Sequence, residues 1–255
     1  MKNAGKKIYG LIGFPLTHSF SQNYFNQKFE SEGINARYVN FEIADIGDLM
    51  EIFAENPTLS GLNVTIPYKE LVIPYMDAMD PLAAEIGAVN VIKIIRKPGM
   101  PENDFMLKGF NSDIIGFRDS IAPLLTPGRD KALVLGTGGA SKAVVCALRQ
   151  LGVEPQPVSR TPREGVLSYD MLDRAVMESH KVIINTTPLG MYPHTDECPD
   201  IPYDLLDSGS LCYDLIYNPD MTLFMQRALE NGAEVKNGLE MLLLQAFASW
   251  TIWND

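Results

Sequence analysis

The stretch "DKALVLGTGGASKAVVCALRQLG", residues 130–152, decides how the rest of the chain is read. It opens as a short apolar strand, turns through Gly136, Gly138 and Gly139, and continues as an apolar helix that Gly152 ends. Strand, glycine-rich turn and helix in that order are the setting in which such glycines bind a dinucleotide. Gly136 permits the tight turn, and Gly138 lets the backbone approach a pyrophosphate. The helix starting near Ala140 offers unpaired N–H groups to the phosphates. Ser141 takes the sixth place of the motif, where close helix–strand packing needs a small side chain. A lone glycine motif also serves as an ordinary strand-to-helix turn; the flanking strand, the helix and the strand that follows favour the dinucleotide.

That next strand, "QPVSR" (156–160), ends where the cofactor is selected. An acidic residue there would hold a ribose 2′-hydroxyl and reject a 2′-phosphate. The sequence has "SRTPR" (159–163) instead. Arg160 offers a planar fork to phosphate, and Ser159 and Thr161 add hydroxyls. NADP is therefore expected over NAD.

Downstream, a helix is expected near 168–178, strands at 181–187, 210–217 and 233–237, and helices at 221–232 and 238–254. Upstream, strands are expected at 7–13, 37–43, 61–66, 89–95 and 105–110, the last two joined as a hairpin through a Pro/Gly-rich connection at 96–104. Helices are expected at 21–33, 45–56 and 111–125. Alternating strands and helices favour parallel sheets covered on both faces. The glycine turn lies mid-chain, so a separate domain is expected before it.

The 255 residues carry a net charge of −11 and a pI near 4.8. That argues against a non-specific nucleic-acid partner, which requires a basic face. It leaves room for an anionic small ligand held by local donors. The three cysteines, Cys146, Cys198 and Cys212, have no CxxC spacing and their odd number suits a reducing compartment. His18, His180 and His194 come without a ligand set, so no metal is expected. No apolar run reaches membrane-spanning length and the start lacks a signal-peptide core, so a cytoplasmic protein is expected.

Polar groups cluster before the glycine turn. Ser19 and Ser21 stand at the start of a helix, where Ser19 with Gln22 also makes a capping box. Thr65 lies near the end of the strand "GLNVTI" and Lys69 just beyond it, Asn90 closes "GAVN", and Asp113 sits in "NSD". Singly, each has an ordinary structural reading: cap, turn residue or solvent-facing lysine. Together they supply hydroxyls, an amide, a cation and a carboxylate, the set that a polyhydroxylated carboxylic acid would require. A lysine and an aspartate sharing one ligand can hold each other ionised and exchange a proton with its oxygen.

In order, the motifs "HSFS" (18–21), "NVTIPYK" (63–69), "GAVN" (87–90), "NSD" with Gly116, "GTGGAS" (136–141), "SRT" (159–161), "NTTPLGM" (185–191), "YDLIY" (213–217) and "NGLEMLLLQA" (237–246) resemble those of the shikimate dehydrogenase family over nearly the whole chain. The resemblance implies an α/β protein with an N-terminal substrate domain, a Rossmann-like NADP domain and a cleft between them. The expected bounds are 1–112, completed by a C-terminal helix at 238–255, and 113–237. It implies reversible reduction of 3-dehydroshikimate to shikimate by NADPH, with Lys69 and Asp113 as the catalytic pair.

Carried over by position, Ser19 and Ser21 hold the substrate carboxylate. Thr65, Asn90, Asp113 and Gln245 hold ring hydroxyls, and Tyr217 closes the site. Gly136, Thr137, Gly138, Gly139, Ala140 and Ser141 cradle the pyrophosphate. Ser159, Arg160, Thr161 and Arg163 face the 2′-phosphate, and Thr186, Leu215 and Gly238 line the nicotinamide half. The chain departs from the family pattern in four places. Gln22 replaces a proline, NSD replaces NTD, SRT replaces NRT, and Glu164 stands where a further arginine is usual, with Arg163 one position early. The last change weakens the expected clamp on the 2′-phosphate.

Three other readings compete. Arg160 and the lack of an acidic residue at 159–161 speak against an NAD-preferring quinate/shikimate dehydrogenase. The paired serines and Gln245 have no purpose in a methylenetetrahydrofolate dehydrogenase. A non-catalytic ligand sensor would be expected to lose Lys69 or Asp113. The expected partner is the small-molecule substrate alone, with no nucleic acid or membrane, in a monomer or homodimer.

Overall fold

The structure, a computed structural model, describes residues 5–16, 20–96, 104–161 and 163–255. The chain divides into two compact units, Met1–Ser112 with Ala246–Asp255, and Asp113–Gln245.

The first unit is built on a six-stranded mixed sheet. Its strands are β1 (Lys7–Gly13), β2 (Ala36–Glu42), β3 (Leu59–Val64), β4 (Ala78–Met79), β5 (Val91–Ile95) and β6 (Met106–Phe110), in the order β2-β1-β3-β5-β6-β4. β1 pairs in parallel with β2 and β3, whereas β3–β5 and β5–β6 are antiparallel, so the two strands around the 96–104 connection are neighbours as expected. Side chains alternate across the sheet. Ile8 and Ile12 face a core with Leu49, Phe53, Leu62, Tyr68 and Val72, contributed in part by α2 (Leu49–Glu55) and α3 (Tyr68–Leu71). Tyr9 faces the opposite way, onto Phe25 and Phe29 of α1 (Phe20–Ser31), Tyr38 and Trp253. Trp253 Nε1 donates to the Ile92 carbonyl at 3.1 Å, and Gly61 lies directly under the indole, where a Cβ would overlap the ring.

The second unit carries a six-stranded parallel sheet: β7 (Lys131–Leu135), β8 (Glu154–Ser159), β9 (Leu167–Ser168), β10 (Val182–Asn185), β11 (Leu211–Asp214) and β12 (Glu234–Lys236), in the order β12-β11-β10-β7-β8-β9. The chain leaves β7 toward β8 and later returns to β7's other side at β10. That reversal opens a crevice at the carboxyl ends of β7 and β10, the usual ligand position in such sheets. The helices are α5 (Asp113–Ile121), α6 (Gly139–Gln150), α7 (Arg174–Ser179), α8 (Leu223–Glu230) and α9 (Leu239–Asn254), with α4 (Pro81–Ile86) belonging to the first unit. The division between units falls inside α9, after Gln245.

Several expected helices are shorter than the sequence pattern suggests, among them 221–232, which is helical over Leu223–Glu230. The segment at 45–56 begins as a 3-10 turn, Ile46–Asp48, because the Asp45 carboxylate accepts from Gly47 N at 2.7 Å. The segment at 111–125 is helical only over Asp113–Ile121 and tightens into a turn around Pro123. The helix expected near 168–178 starts at Arg174, capped by Asp173, which accepts from Val176 N at 2.9 Å. Two short helices escape the pattern, α3 and α4. For α4 the punctuation is present: Asp80 accepts from Leu82 N, Pro81 opens the helix, and Gly87 closes it at φ +68°. Among the described residues, no helix is long and apolar enough to cross a membrane.

Candidate active site

In the first unit, the β1–β3 ladder runs past the strand end. Thr65 N donates to Ile12 O at 2.9 Å and Phe14 N to Ile66 O at 3.1 Å. After Pro67, α3 forms one turn, and buried Tyr68 fastens it by donating to the Ile43 carbonyl at 2.6 Å. Lys69 is therefore on a short anchored helix, not on a loop after the strand as its sequence context suggests. Its carbonyl accepts from Val89 N at 2.7 Å, and the residue is half-buried, as is Thr65.

Asn90 is 3 % exposed and is not a surface turn residue. Its carbonyl accepts from Val64 N, its Oδ1 accepts from Ser112 N at 2.6 Å, and its Nδ2 donates to Ser112 Oγ at 3.0 Å. Ser21 lies in the first turn of α1 and pulls the pKa of the buried Tyr38 phenol down, against the larger effect of burial. Gln22, the residue in place of the usual proline, accepts from Asn40 Nδ2 through its side chain and from Asn26 Nδ2 through its carbonyl. Ser19 and His18 lie outside the described residues.

In the second unit, Asp113 is the first residue of α5 and is 6 % exposed. One turn on, Gly116 passes so close to α9 that a Cβ there would sit 2.5 Å from the Met241 carbonyl and 3.0 Å from Gln245 N. The glycine brings the start of α5 alongside Gln245, whose Nε2 donates to Leu242 O at 3.0 Å.

The glycine turn stands at the carboxyl end of β7. Gly136 adopts φ +108°, open to glycine and strained for other residues, and a Cβ there would lie 2.6 Å from Thr186 Oγ1. Thr186 closes on the turn by donating its hydroxyl to Leu135 O at 2.6 Å. Thr137 and Gly138 lead into α6, whose first residues are Gly139 and Ala140; the helix starts with no side-chain cap, and the space beside Gly138 is open. Ser141 is buried and donates to Gly138 O at 2.8 Å, so serine fills the packing position of the motif. An uncapped helix start behind an open glycine backbone fits a dinucleotide pyrophosphate.

At the end of β8, Ser159 Oγ accepts from Thr161 N at 3.4 Å, and Arg160, Thr161 and Arg163 are exposed. Burial raises the pKa of the Tyr169 phenol, and the charge of Arg160 pulls it partly back down.

The second unit also holds a buried hydrogen-bond cluster that joins "NTTPLGM" to "YDLIY". Asp214 accepts at Oδ1 from Asn185 Nδ2 and Ile216 N, and at Oδ2 from Thr222 Oγ1 at 2.7 Å. Asn185 Oδ1 accepts from the Thr187 N–H and hydroxyl. Burial pushes the Asp214 carboxyl up to about 6, against the pull of its three donors. The cluster fixes the turn that carries Leu215 and Tyr217, the latter 37 % exposed. Gly238 lies flat against Leu215: its N–H donates to Ile216 O at 3.0 Å, and a Cβ would overlap the Leu215 carbonyl. Asn185, Asp214 and Thr222 were not singled out in the sequence, although a carboxylate inside an apolar strand was the available signal. Among the described residues, no group of three His, Cys, Asp or Glu is arranged to hold a metal.

Comparison with known proteins gives a consistent result. The shikimate dehydrogenase substrate binding domain family matches residues 11–92. The shikimate dehydrogenase (NADP(+)) of Moorella thermoacetica is 37 % identical over 271 residues, covering 98 % of this chain and 88 % of its own length. The crystal structure of shikimate dehydrogenase from Aquifex aeolicus superposes with a TM-score of 0.84 at 34 % identity, covering 100 % of this chain and 94 % of the other. The Thermus thermophilus shikimate 5-dehydrogenase, in complex with NADP(H) and shikimate, gives a TM-score of 0.82 at 29 % identity, covering 97 % and 93 %.

Proposed function

The chain belongs to the shikimate dehydrogenase family, and from that premise we propose that it reduces 3-dehydroshikimate reversibly to shikimate with NADPH, on the route to chorismate and the aromatic amino acids. The observation that carries this reading is the full-length likeness to proteins of that activity, in a chain that keeps Lys69, Asp113 and the glycine turn.

Bound NADPH supplies the hydride that reaches the ketone carbon. Lys69 meets the charge that develops on the ketone oxygen and delivers a proton to it, the electrophilic role that a metal plays elsewhere. Asp113 accepts from a ring hydroxyl and supports the charge on the lysine. Ser19 and Ser21 donate to the substrate carboxylate, and Thr65, Asn90 and Gln245 address the remaining hydroxyls, with Tyr217 at the rim. Gly136 through Ser141 hold the pyrophosphate, Thr186, Leu215 and Gly238 border the nicotinamide half, and Ser159, Arg160, Thr161 and Arg163 address the 2′-phosphate. The acidic net charge and free cysteines support a cytoplasmic enzyme with a small-molecule substrate and no nucleic-acid partner, working as a monomer or homodimer.

The test is the rate of nicotinamide reduction with shikimate or quinate, crossed with NADP or NAD, for wild type and Arg160→Ala. Wild type is expected to turn over shikimate fastest with NADP. Loss of a charge-assisted phosphate contact should raise the NADP KM by roughly 10- to 100-fold and leave the NAD KM near its wild-type value. Equal rises for both cofactors would remove the 2′-phosphate assignment. No reduction with shikimate under either cofactor would contradict the reaction itself.

A further inference from the structure

A chain of buried side chains crosses the first unit. It starts beside Ser21 on α1, which pulls the pKa of the Tyr38 phenol on β2 down against the effect of burial. The Tyr38 hydroxyl donates to Asn63 Oδ1 on β3 at 2.8 Å, and Asn63 Nδ2 donates to Ser249 Oγ on α9 at 2.9 Å. Ser249 Oγ lies 3.1 Å from Ser112 Oγ, and Ser112 Oγ donates to Asn90 Oδ1 at 3.3 Å. Tyr38, Asn63, Asn90, Ser112 and Ser249 are all at most 6 % exposed. Asn90 Nδ2 in turn donates to Ser112 Oγ at 3.0 Å, so the far end of the chain is closed on both sides of the Asn90 amide. The buried Asn63 amide has one orientation, because its Nδ2 also donates to the Asn90 carbonyl at 3.3 Å, an atom that can only accept.

The two ends of this chain are the groups assigned to substrate. Ser21 is at the carboxylate end. Asn90 and Ser112 are at the hydroxyl end, and Ser112 is the residue that precedes Asp113 in the chain, with its N–H and hydroxyl both committed to Asn90. Tyr38, Asn63 and Ser249 have no place in the reaction as proposed above, yet they fix where both ends stand.

We propose that Tyr38 and Ser249 are positioning residues for the substrate. They hold the carboxylate-binding serine and the hydroxyl-binding asparagine at one fixed separation, through Asn63. The inference rests on the substrate assignment made above. Its consequence is selective: losing a link should loosen substrate binding and leave cofactor binding alone.

The test compares Tyr38→Phe and Ser249→Ala with Ser120→Ala. Ser120 forms an equally buried hydroxyl pair, 2.7 Å from the Tyr213 phenol in the second unit, apart from this chain of bonds. Tm, KM for shikimate, KM for NADP and kcat are measured for each, with shikimate binding followed by calorimetry. All three variants are expected to lose thermal stability, since each leaves a buried partner without its bond. Tyr38→Phe and Ser249→Ala should also raise the shikimate KM and Kd by roughly tenfold, the effect of about one hydrogen bond, with NADP KM unchanged. Ser120→Ala should leave shikimate KM at the wild-type value. A shikimate KM within twofold of wild type in either folded positioning variant overturns the inference, as does a similar rise in Ser120→Ala. Should one variant fail to fold, the other decides. A wild-type protein that does not oxidise shikimate refutes the reaction and is seen before any variant is made.

Discussion

Replacing Lys69 with alanine should lower kcat for shikimate oxidation by roughly 10²- to 10⁴-fold, the range seen on losing a placed acid or base. The shikimate KM should move by only a few-fold, because the other groups proposed to hold the ring are unchanged. The argument begins with local structure. Pro67 ends the extended segment, and the buried Tyr68 ring with its bond to Ile43 O anchors a single helical turn. A second bond, from Val89 N to the Lys69 carbonyl, ties that turn to the segment leading to Asn90. An ordinary surface lysine needs no such double anchorage. Under the proposed role, this half-buried residue on an anchored turn would present its ammonium as a preorganised charge for a developing alkoxide. Steady-state kinetics on a variant with an unchanged circular dichroism spectrum is the check, and wild-type turnover would return Lys69 to the surface-residue reading.

The second large effect concerns Asp214. Asp214→Ala should cost several kcal/mol of stability, because it strips the acceptor from three buried donors, each worth about 1–3 kcal/mol when orphaned. Asp214→Asn behaves differently. It keeps an acceptor for Asn185 Nδ2 and Ile216 N, and the Thr222 hydroxyl can rotate to meet the new amide.

The pH dependence separates these variants. The folded protein raises the Asp214 pKa from 3.8 to about 6, so the folded state binds this proton more tightly than the unfolded chain does. The group therefore favours folding below its unfolded pKa and withdraws up to about 3 kcal/mol as pH rises from about 4 through 6. Asp214→Asn removes that pH dependence and should gain on wild type between acid and neutral pH. Denaturant unfolding at several pH values measures it. A constant difference between Asp214→Asn and wild type across that window would mean that the carboxyl is not perturbed in this sense.

The glycine turn was readable because its chemistry is local. Three glycines between an apolar strand and an apolar helix need no partner elsewhere to be recognised, and Arg160 follows at a fixed distance along the chain. The switch point at β7 was not readable in the same way, since it depends on β10 pairing with β7 from some fifty residues away. Lys69 and Asp113 could be singled out, but not the devices that hold them. α3 is four residues long, too short to display a helical period. Asn90 looked like a turn residue because its partner Ser112 lies 22 positions later. Asn63 was inside a quoted motif, yet the significance of its amide depends on Tyr38 and Ser249, the latter 186 positions away. Long-range polar pairing leaves no periodic trace, and that is the part of the site which needed coordinates.

The central claim is that Lys69 and Asp113 serve one proton transfer, and a double-mutant cycle on kcat for shikimate oxidation tests it most directly. The set is wild type, Lys69→Ala, Asp113→Asn and the two changes combined. Groups that act as a unit are strongly non-additive, so the combined variant is predicted to lose little more than the worse single variant. A combined loss equal to the product of the two single losses would mean that the residues act independently, and would contradict the account.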